Sequence, residues 1–336
     1  MVDGIAADGQ GRARLRAVAI SLVVSVLLLA AKYQAYRLTG STAILSDALE
    51  SIVNVVAAVF AIGALIFAGR PADRNHPYGH GKMEFLSAAF EGGLIAFAAL
   101  VILYEVVQSL LHGVELRSLD LGLSIVLGAG LANLALGYYL VRAGRRYDSL
   151  TLVADGRHVL ADFYTSAGIV IGLLLVRFTG ITMLDPVVAA VVAVNLMWTG
   201  VRLIRQAAAG LLDEEDPALL DRLLQVLQPQ LGQGVIRVHH LRAIRAGRFY
   251  HVDAHLVVPE FWTVERSHEL AEDLGERVVK DLNVEGEMTL HTDPCHRIYC
   301  RMCDLDDCPV RREPFTGRPP LTLDEAVQPD MPRGRA

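Results

Sequence analysis

Ser46-Asp47-Ala48-Leu49-Glu50-Ser51-Ile52-Val53-Asn54 and Ala154-Asp155-Gly156-Arg157-His158-Val159-Leu160-Ala161-Asp162 decide how the rest of the chain is read. Each lies inside a long apolar run, 43–69 for the first and 151–177 for the second. Each places polar, ligand-type residues at i, i+3 and i+7. On a helix turning about 100° per residue such positions fall within about 60° of one another and share a face. Asp47, Glu50 and Asn54 form one stripe, and Asp155, His158 and Asp162 form the other.

A helix needs roughly 20 apolar residues to cross the hydrocarbon core of a bilayer. Six segments qualify, near 15–38, 43–69, 85–111, 119–142, 151–177 and 183–205. Composition agrees, because the chain is 53% hydrophobic and only 20% charged, against about a quarter charged in soluble domains. A formal net charge of −6 gives a nucleic-acid partner no general electrostatic support. No small-residue cleavage site follows a short apolar core, so no removable signal peptide is expected.

Basic residues orient the spans. Arg12, Arg14 and Arg16 precede the first; Arg70, Arg74 and Lys82 fill the second loop; Arg142, Arg145 and Arg146 fill the fourth; Arg202 and Arg205 close the last. The loops around 39–42, 112–119 and 178–182 are poor in basic residues. The positive-inside rule then predicts a multi-pass protein of the inner (cell) membrane with both termini cytoplasmic.

After Leu212 the composition becomes that of a soluble domain. Asp216-Pro217 reads as an N-cap with proline at the first helical position, opening a helix to about 229. β-rich runs at 234–243 and 248–258, a helix over 263–282 and a strand over 286–292 follow. The order α-β-β-α-β suits a small ferredoxin-like α+β domain. The expected division is a six-helix membrane domain over 1–212, a cytoplasmic domain over 213–294, and a tail over 295–336 that is Cys-rich and then Pro-rich. That tail holds all four cysteines, and from Pro294 onward the chain has 7 of its 13 prolines, so little fixed structure is expected past about 312.

Burying one carboxylate at the bilayer centre costs about 2.5–3.5 kcal/mol. Two polar stripes should therefore face each other or water, with their charge compensated. Glu50, Asn54, His158 and Asp162 offer one nitrogen and three oxygens, a four-coordinate shell for a divalent cation. Two carboxylates would neutralise one such ion. Asp47 is a further candidate ligand. Metal binding needs deprotonated ligands, so His158 and Glu50 could exchange protons for metal. A structural polar cluster joining two helices is the competing explanation.

At these residues the chain resembles the cation diffusion facilitator family. The resemblance covers roughly 12–294 and rests on Thr39-Gly40-Ser41 before the second span, His158-x₃-Asp162 in the fifth, His76-Pro77-Tyr78-Gly79-His80-Gly81-Lys82 with Glu84 in the second loop, and His291-Thr292-Asp293-Pro294-Cys295. It implies a homodimer that exports Zn²⁺, Fe²⁺, Mn²⁺, Co²⁺ or related ions by proton antiport. One departure stands out. Family sites carry Asp or His, then Asp, where this chain has Glu50 and Asn54, which leaves its site one negative charge weaker.

The resemblance also implies a loop metal site at Asp73, His76 and His80, and a hinge salt bridge between Lys82 and Asp213. It places His239, His255, His291 and Asp293 around regulatory metal at a dimer interface, with His268 able to bridge two ions; His240 is an added candidate. On the second strand His251, Asp253 and His255 alternate with Val252, Ala254 and Leu256 and so face away from the core. His251 reads as an ordinary surface histidine.

Cys295-x₄-Cys300-x₂-Cys303-x₄-Cys308 lies outside the family pattern. Four thiols on a cytoplasmic segment suit a Cys₄ zinc site or an iron–sulfur cluster better than disulfides, with His296 as a spare ligand. Reactive cysteines in a flexible tail are the alternative. The other function classes are a metal-gated channel, a metal sensor, or a membrane-embedded hydrolase. The last would need a motif such as His-Glu-x-x-His or Gly-x-Ser-x-Gly, and neither occurs.

Overall fold

The structure is a computed structural model that describes residues 9–113, 119–147, 150–247 and 249–329. Part of the basic-poor loop at 112–119 lies outside the described residues, as do the side chains of Arg12 and Arg14. Six helices are long and apolar enough to span a membrane. They are α1 (Gly9–Thr39), α2 (Thr42–Ala68), α3 (Met83–His112), α4 (Leu119–Arg146), α5 (Leu150–Thr179) and α6 (Leu184–Leu211). The last runs about six residues beyond the expected end at 205.

The turn between α1 and α2 is built by the Thr39-Gly40-Ser41 motif. Gly40 adopts φ +68°, which favours glycine. Ser41 then N-caps α2 by accepting from the Ile44 N–H at 3.1 Å. Its hydroxyl donates to Asp185 of α6 at 2.5 Å, and the Thr42 N–H donates to the same carboxylate at 2.7 Å. A buried acid therefore serves the orphan amides at a helix start and ties α6 to the hairpin.

Small residues set the helix spacing. A Cβ on Gly156 of α5 would lie 2.7 Å from the Val141 nitrogen and 2.9 Å from the Gly137 carbonyl oxygen of α4. Close backbone approach of this kind drives helix association in lipid. His158 and Asp162 lie roughly 200° and 240° around α5 from Gly156. Packing the glycine face on α4 thus leaves them turned away from α4, on the side that meets α2.

The chain forms two compact units. One comprises the long helices to Ala208; the other joins Arg70–Lys82 with the chain from Ala209 onward. The C-terminal unit contains α7 (Pro217–Leu227), β1 (Arg237–Ala246), β2 (Phe249–Val258), α8 (Val264–Leu282), β3 (Glu285–Pro294) and α9 (Leu323–Val327). The sheet order is β1-β2-β3, with β1 antiparallel and β3 parallel to β2. Asp216 caps α7 ahead of Pro217, and Thr263 caps α8. The core joins Leu219, Leu223 and Leu227 of α7 to Val252 and Leu256 of β2 and Leu274 and Val278 of α8. Each such side chain contributes about 1.5–3 kcal/mol on burial.

The chain over 313–329 corrects an expectation. Rather than lacking fixed structure, it returns to the sheet. Leu321 and Ala326 are buried in the same core. The buried Arg237 guanidinium donates to the carbonyls of Pro319 (2.8 Å) and Pro320 (3.2 Å) and to Glu325 (2.5 Å). Proline-rich composition did not reveal a fixed arginine that uses those carbonyls.

Candidate metal sites

Asn54 of α2 and His158 and Asp162 of α5 are in direct contact. The Asn54 amide donates to Asp162 Oδ2 at 2.5 Å, and its carbonyl accepts from His158 Nε2 at 2.9 Å. His158 Nε2 lies 3.9 Å from Asp162 Oδ1. Asp162 is 1% exposed, and its Oδ1 has no hydrogen-bond partner among the described residues. Glu50, one turn before Asn54, is also buried and accepts from Thr165 Oγ1 at 3.3 Å. The same Thr165 hydroxyl lies 2.9 Å from the Asp162 carbonyl and shares its one proton between the two acceptors. Glu50 thus borders the trio, and its carboxyl also shares a side-chain hydrogen bond with Asp162. Two carboxylates, an imidazole and an amide oxygen thus gather between two helices, a donor set suited to borderline divalent ions.

Asp47 goes elsewhere, which corrects its reading as a further ligand. Its Oδ1 accepts from Lys32 Nζ of α1 at 2.8 Å and from Ser166 Oγ of α5 at 2.7 Å, with Lys32 and Asp47 both fully buried. The hairpin explains the meeting. Lys32 is eight residues before Gly40 and Asp47 seven after it, so at about 1.5 Å per residue both stand at nearly the same depth. Lys32, Thr165 and Ser166 were missed in the sequence reading. A lone lysine in an apolar span was signal enough to seek a nearby acid. Asp155 of the second stripe accepts from Ser21 Oγ of α1 at 3.1 Å and does not join the cluster.

In the C-terminal unit, Asp73, His76 and His80 converge. Asp73 Oδ1 accepts from the backbone N–H groups of His76 (2.7 Å) and Asn75 (2.8 Å), and these bonds hold its carboxyl below the usual carboxylate range. His76 Nδ1 lies 3.3 Å from Asp73 Oδ1, and His80 Nε2 lies 3.4 Å from Oδ2. One ligand atom from each of the three falls within 4.8 Å of the others. Lys82 Nζ donates to Asp213 Oδ2 at 2.8 Å, the pairing the resemblance implied.

Strand register assembles the second cluster. His239, His255 and His291 stand side by side across β1, β2 and β3. Asp293 Oδ2 is within 3.0 Å of His239 Nε2 and 2.9 Å of His255 Nδ1. Burial alone would raise the Asp293 carboxyl, but hydrogen bonds from His255 and His239 outweigh it and hold it low. His291 packs its ring 4.8 Å from His255, with Nε2 3.5 Å from Asp293 Oδ1. A register shift after His239 sets His240 at φ +52°, and its Nδ1 comes within 3.2 Å of His255 Nε2. Simple alternation would have sent His240 to the other face. His268 stands exposed on α8 beside Glu272 and is not in this cluster. His251, read from the sequence as a surface histidine, is instead buried, pairing with Glu287 at 2.8 Å and meeting the Tyr78 ring edge-on. All four tail cysteines are free thiols and line one small cavity.

Comparison with known proteins adds to this geometry. Residues 18–212 match the family described as "Cation efflux transmembrane domain", and residues 216–295 match "Cation efflux protein, cytoplasmic domain". An uncharacterized transporter, sll1263, of Synechocystis sp. is 38% identical over 276 residues, covering 82% of this chain and 88% of its own length. The manganese efflux system protein MneP of Bacillus subtilis is 25% identical, with 82% of this chain and 94% of the relative covered. The cation-efflux pump FieF of Pectobacterium atrosepticum is 26% identical, with 84% and 92% covered.

Proposed function

The chain belongs to the cation diffusion facilitator family of metal-cation efflux transporters, and from that premise we propose that it carries Zn²⁺ or Fe²⁺ out of the cytoplasm in exchange for protons. The observation that supports this is the buried Asn54–His158–Asp162 contact with Glu50 one turn away. Glu50, Asn54, His158 and Asp162 are the proposed transport ligands. Because Lys32 already cancels Asp47, the charge left for the cargo is that of Glu50 and Asp162, which one divalent ion neutralises. An imidazole nitrogen favours zinc or ferrous iron, and the three oxygens keep Mn²⁺ next in order, with Co²⁺, Ni²⁺ and Cd²⁺ behind. Protonation of His158 and Glu50 would release the ion and return protons inward, making the protein a secondary active transporter.

In this reading the protein is a homodimer in the cell membrane with both termini cytoplasmic. His239, His255, His291 and Asp293, with His240 beside them, bind cytoplasmic metal across the two-fold interface and regulate transport. His268 joins them only from that interface. Asp73, His76 and His80 form a lesser loop site, and Lys82–Asp213 braces the join between membrane and cytoplasmic parts.

The test is uptake of a panel of divalent metals by proteoliposomes under an imposed pH gradient. Asp162→Ala should abolish flux for every metal, and Asn54→Asp should reorder the preference. Full flux in Asp162→Ala would remove the site. Flux indifferent to the pH gradient would remove the antiport.

A further inference from the structure

The four cysteines answer to nothing in the transport cycle, yet the chain folds to bring them together. β3 ends at Pro294, and the Cys295 N–H donates to the Val258 carbonyl at 2.8 Å, fixing Cys295 beside the end of β2. A 3₁₀ turn over Arg297–Met302 carries Cys300, and the Cys303 N–H closes it onto the Tyr299 carbonyl at 3.1 Å. Cys308 returns after five residues, and its carbonyl accepts from the Arg311 N–H at 3.3 Å. Cys295, Cys300, Cys303 and Cys308 all line one cavity of about 10 Å³, with His296, Tyr299 and Arg311 in its wall. That is the room of about one water-sized sphere.

The surrounding loop is held around this point. The Arg311 guanidinium donates to the carbonyls of Cys300 (3.2 Å), Cys303 (3.1 Å) and Leu305, so one cation gathers three turns of backbone. Cys303 and Tyr299 pack with Ile236 and Val257 in a small apolar cluster of their own. Four buried side chains, one of them a cysteine, with Met302 and Leu305 packed against them make only a small core for a segment of this length. Small units of such composition are commonly stapled by disulfides or metal. The thiols here are unpaired.

We infer that Cys295, Cys300, Cys303 and Cys308 hold one tetrahedral zinc ion that pins the C-terminal segment to the sheet. Four soft ligands lining one small cavity match a structural site, which keeps no open position, rather than a transport or catalytic one. Among the described residues the groups whose ligand atoms already lie within 4.8 Å of one another do not include these thiols, so the ion would draw the four sulfurs inward. The staple has a consequence for the rest of the domain. It anchors one end of the stretch whose other end delivers Leu321, Ala326 and Glu325 to the core and to Arg237. The inference is independent of the membrane site.

The test uses the full-length protein in detergent, loaded with Co²⁺ in place of zinc. Thiolate ligation gives a sulfur-to-cobalt charge-transfer band, which histidine and carboxylate sites do not produce. That band should persist in Asp162→Ala and His255→Ala and vanish in Cys300→Ser/Cys303→Ser. Zinc content of the purified protein should fall by one ion per chain in that double variant. Should the double variant fail to fold, alkylation of the wild-type protein decides: the thiols should be protected until a strong chelator is added. Wild-type protein without the charge-transfer band, or with thiols that alkylate freely before chelation, would overturn the inference. So would visible absorption with acid-labile sulfide.

Discussion

The membrane cluster and the sheet cluster gather similar side chains by opposite means. In the membrane, helical periodicity puts His158 and Asp162 on one face of α5, and close packing of Gly156 on α4 leaves that face free to meet α2. In the C-terminal domain, hydrogen-bonded register lines up His239, His255 and His291, and Asp293 reaches across them. The two differ most in how charge is handled. His291 is 69% exposed, so water can serve it. Asp47 is fully out of water and has its own fully buried lysine. In the low dielectric of the spans each charge needs a named partner, whereas the sheet cluster is partly open to water.

Removing Lys32 should break that contrast hardest. Lys32→Met leaves Asp47 a buried, uncompensated carboxylate one turn from Glu50. A loss of about 3–5 kcal/mol in stability is expected from breaking one side of such a pair. The double variant Lys32→Met/Asp47→Asn should recover most of it. Chemical unfolding of the detergent-solubilised protein measures both, and equal losses in the single and double variants would show that the pair is not coupled. Gly156→Ala comes next. Its methyl would press on the Val141 nitrogen and the Gly137 carbonyl, which are backbone atoms and cannot swing aside. Overpacking of this kind costs about 1–3 kcal/mol. Because it rotates or displaces α5, metal flux should fall as well, in a variant that alters no ligand.

Much of this was legible beforehand, and the failures share a cause. Six spans, two polar stripes and the αββαβ order follow from hydropathy and period, which are local properties of the chain. The pairing of Asn54 with His158 and Asp162 followed too, since stripes at matching spacing have few other partners. What escaped depends on where separate segments meet. Asp47 read as a ligand until the hairpin brought Lys32 to its depth. Thr165 and Ser166 looked like ordinary small helix residues, although one donates to Glu50 and the other to Asp47. His240 defied strict alternation because a register shift turned its backbone to positive φ. Past residue 312, proline content suggested disorder, and the clamp that orders it sits about 80 residues earlier at Arg237.

In the sheet, loss of Asp293 should act on binding more than on folding. Asp293→Ala removes the acceptor shared by His239 and His255. Without added metal the domain should unfold at nearly its usual temperature. The upward shift produced by added zinc should shrink, by up to about 2.7 kcal/mol where zinc had stood at a hundred times its dissociation constant. Asp162→Ala should keep that shift while losing flux, so the two variants separate the clusters. An unchanged zinc response in Asp293→Ala would leave the sheet cluster as a hydrogen-bonded network only.

Lys82→Ala should have the smallest effect, for a reason that the larger ones make plain. The Lys82–Asp213 distance matches that of Lys32–Asp47, 2.8 Å in each case. Distance alone would therefore rank the two pairs equally. Lys82 and Asp213 are 40% and 34% exposed, however, and water and salt screen them. Such a pair contributes no more than about 1 kcal/mol, and raising the salt should erase the difference between Lys82→Ala and wild type. The Lys32→Met loss should survive the same salt, since ions do not reach a site sealed between helices. If both variants respond to salt alike, burial is not what separates the two pairs.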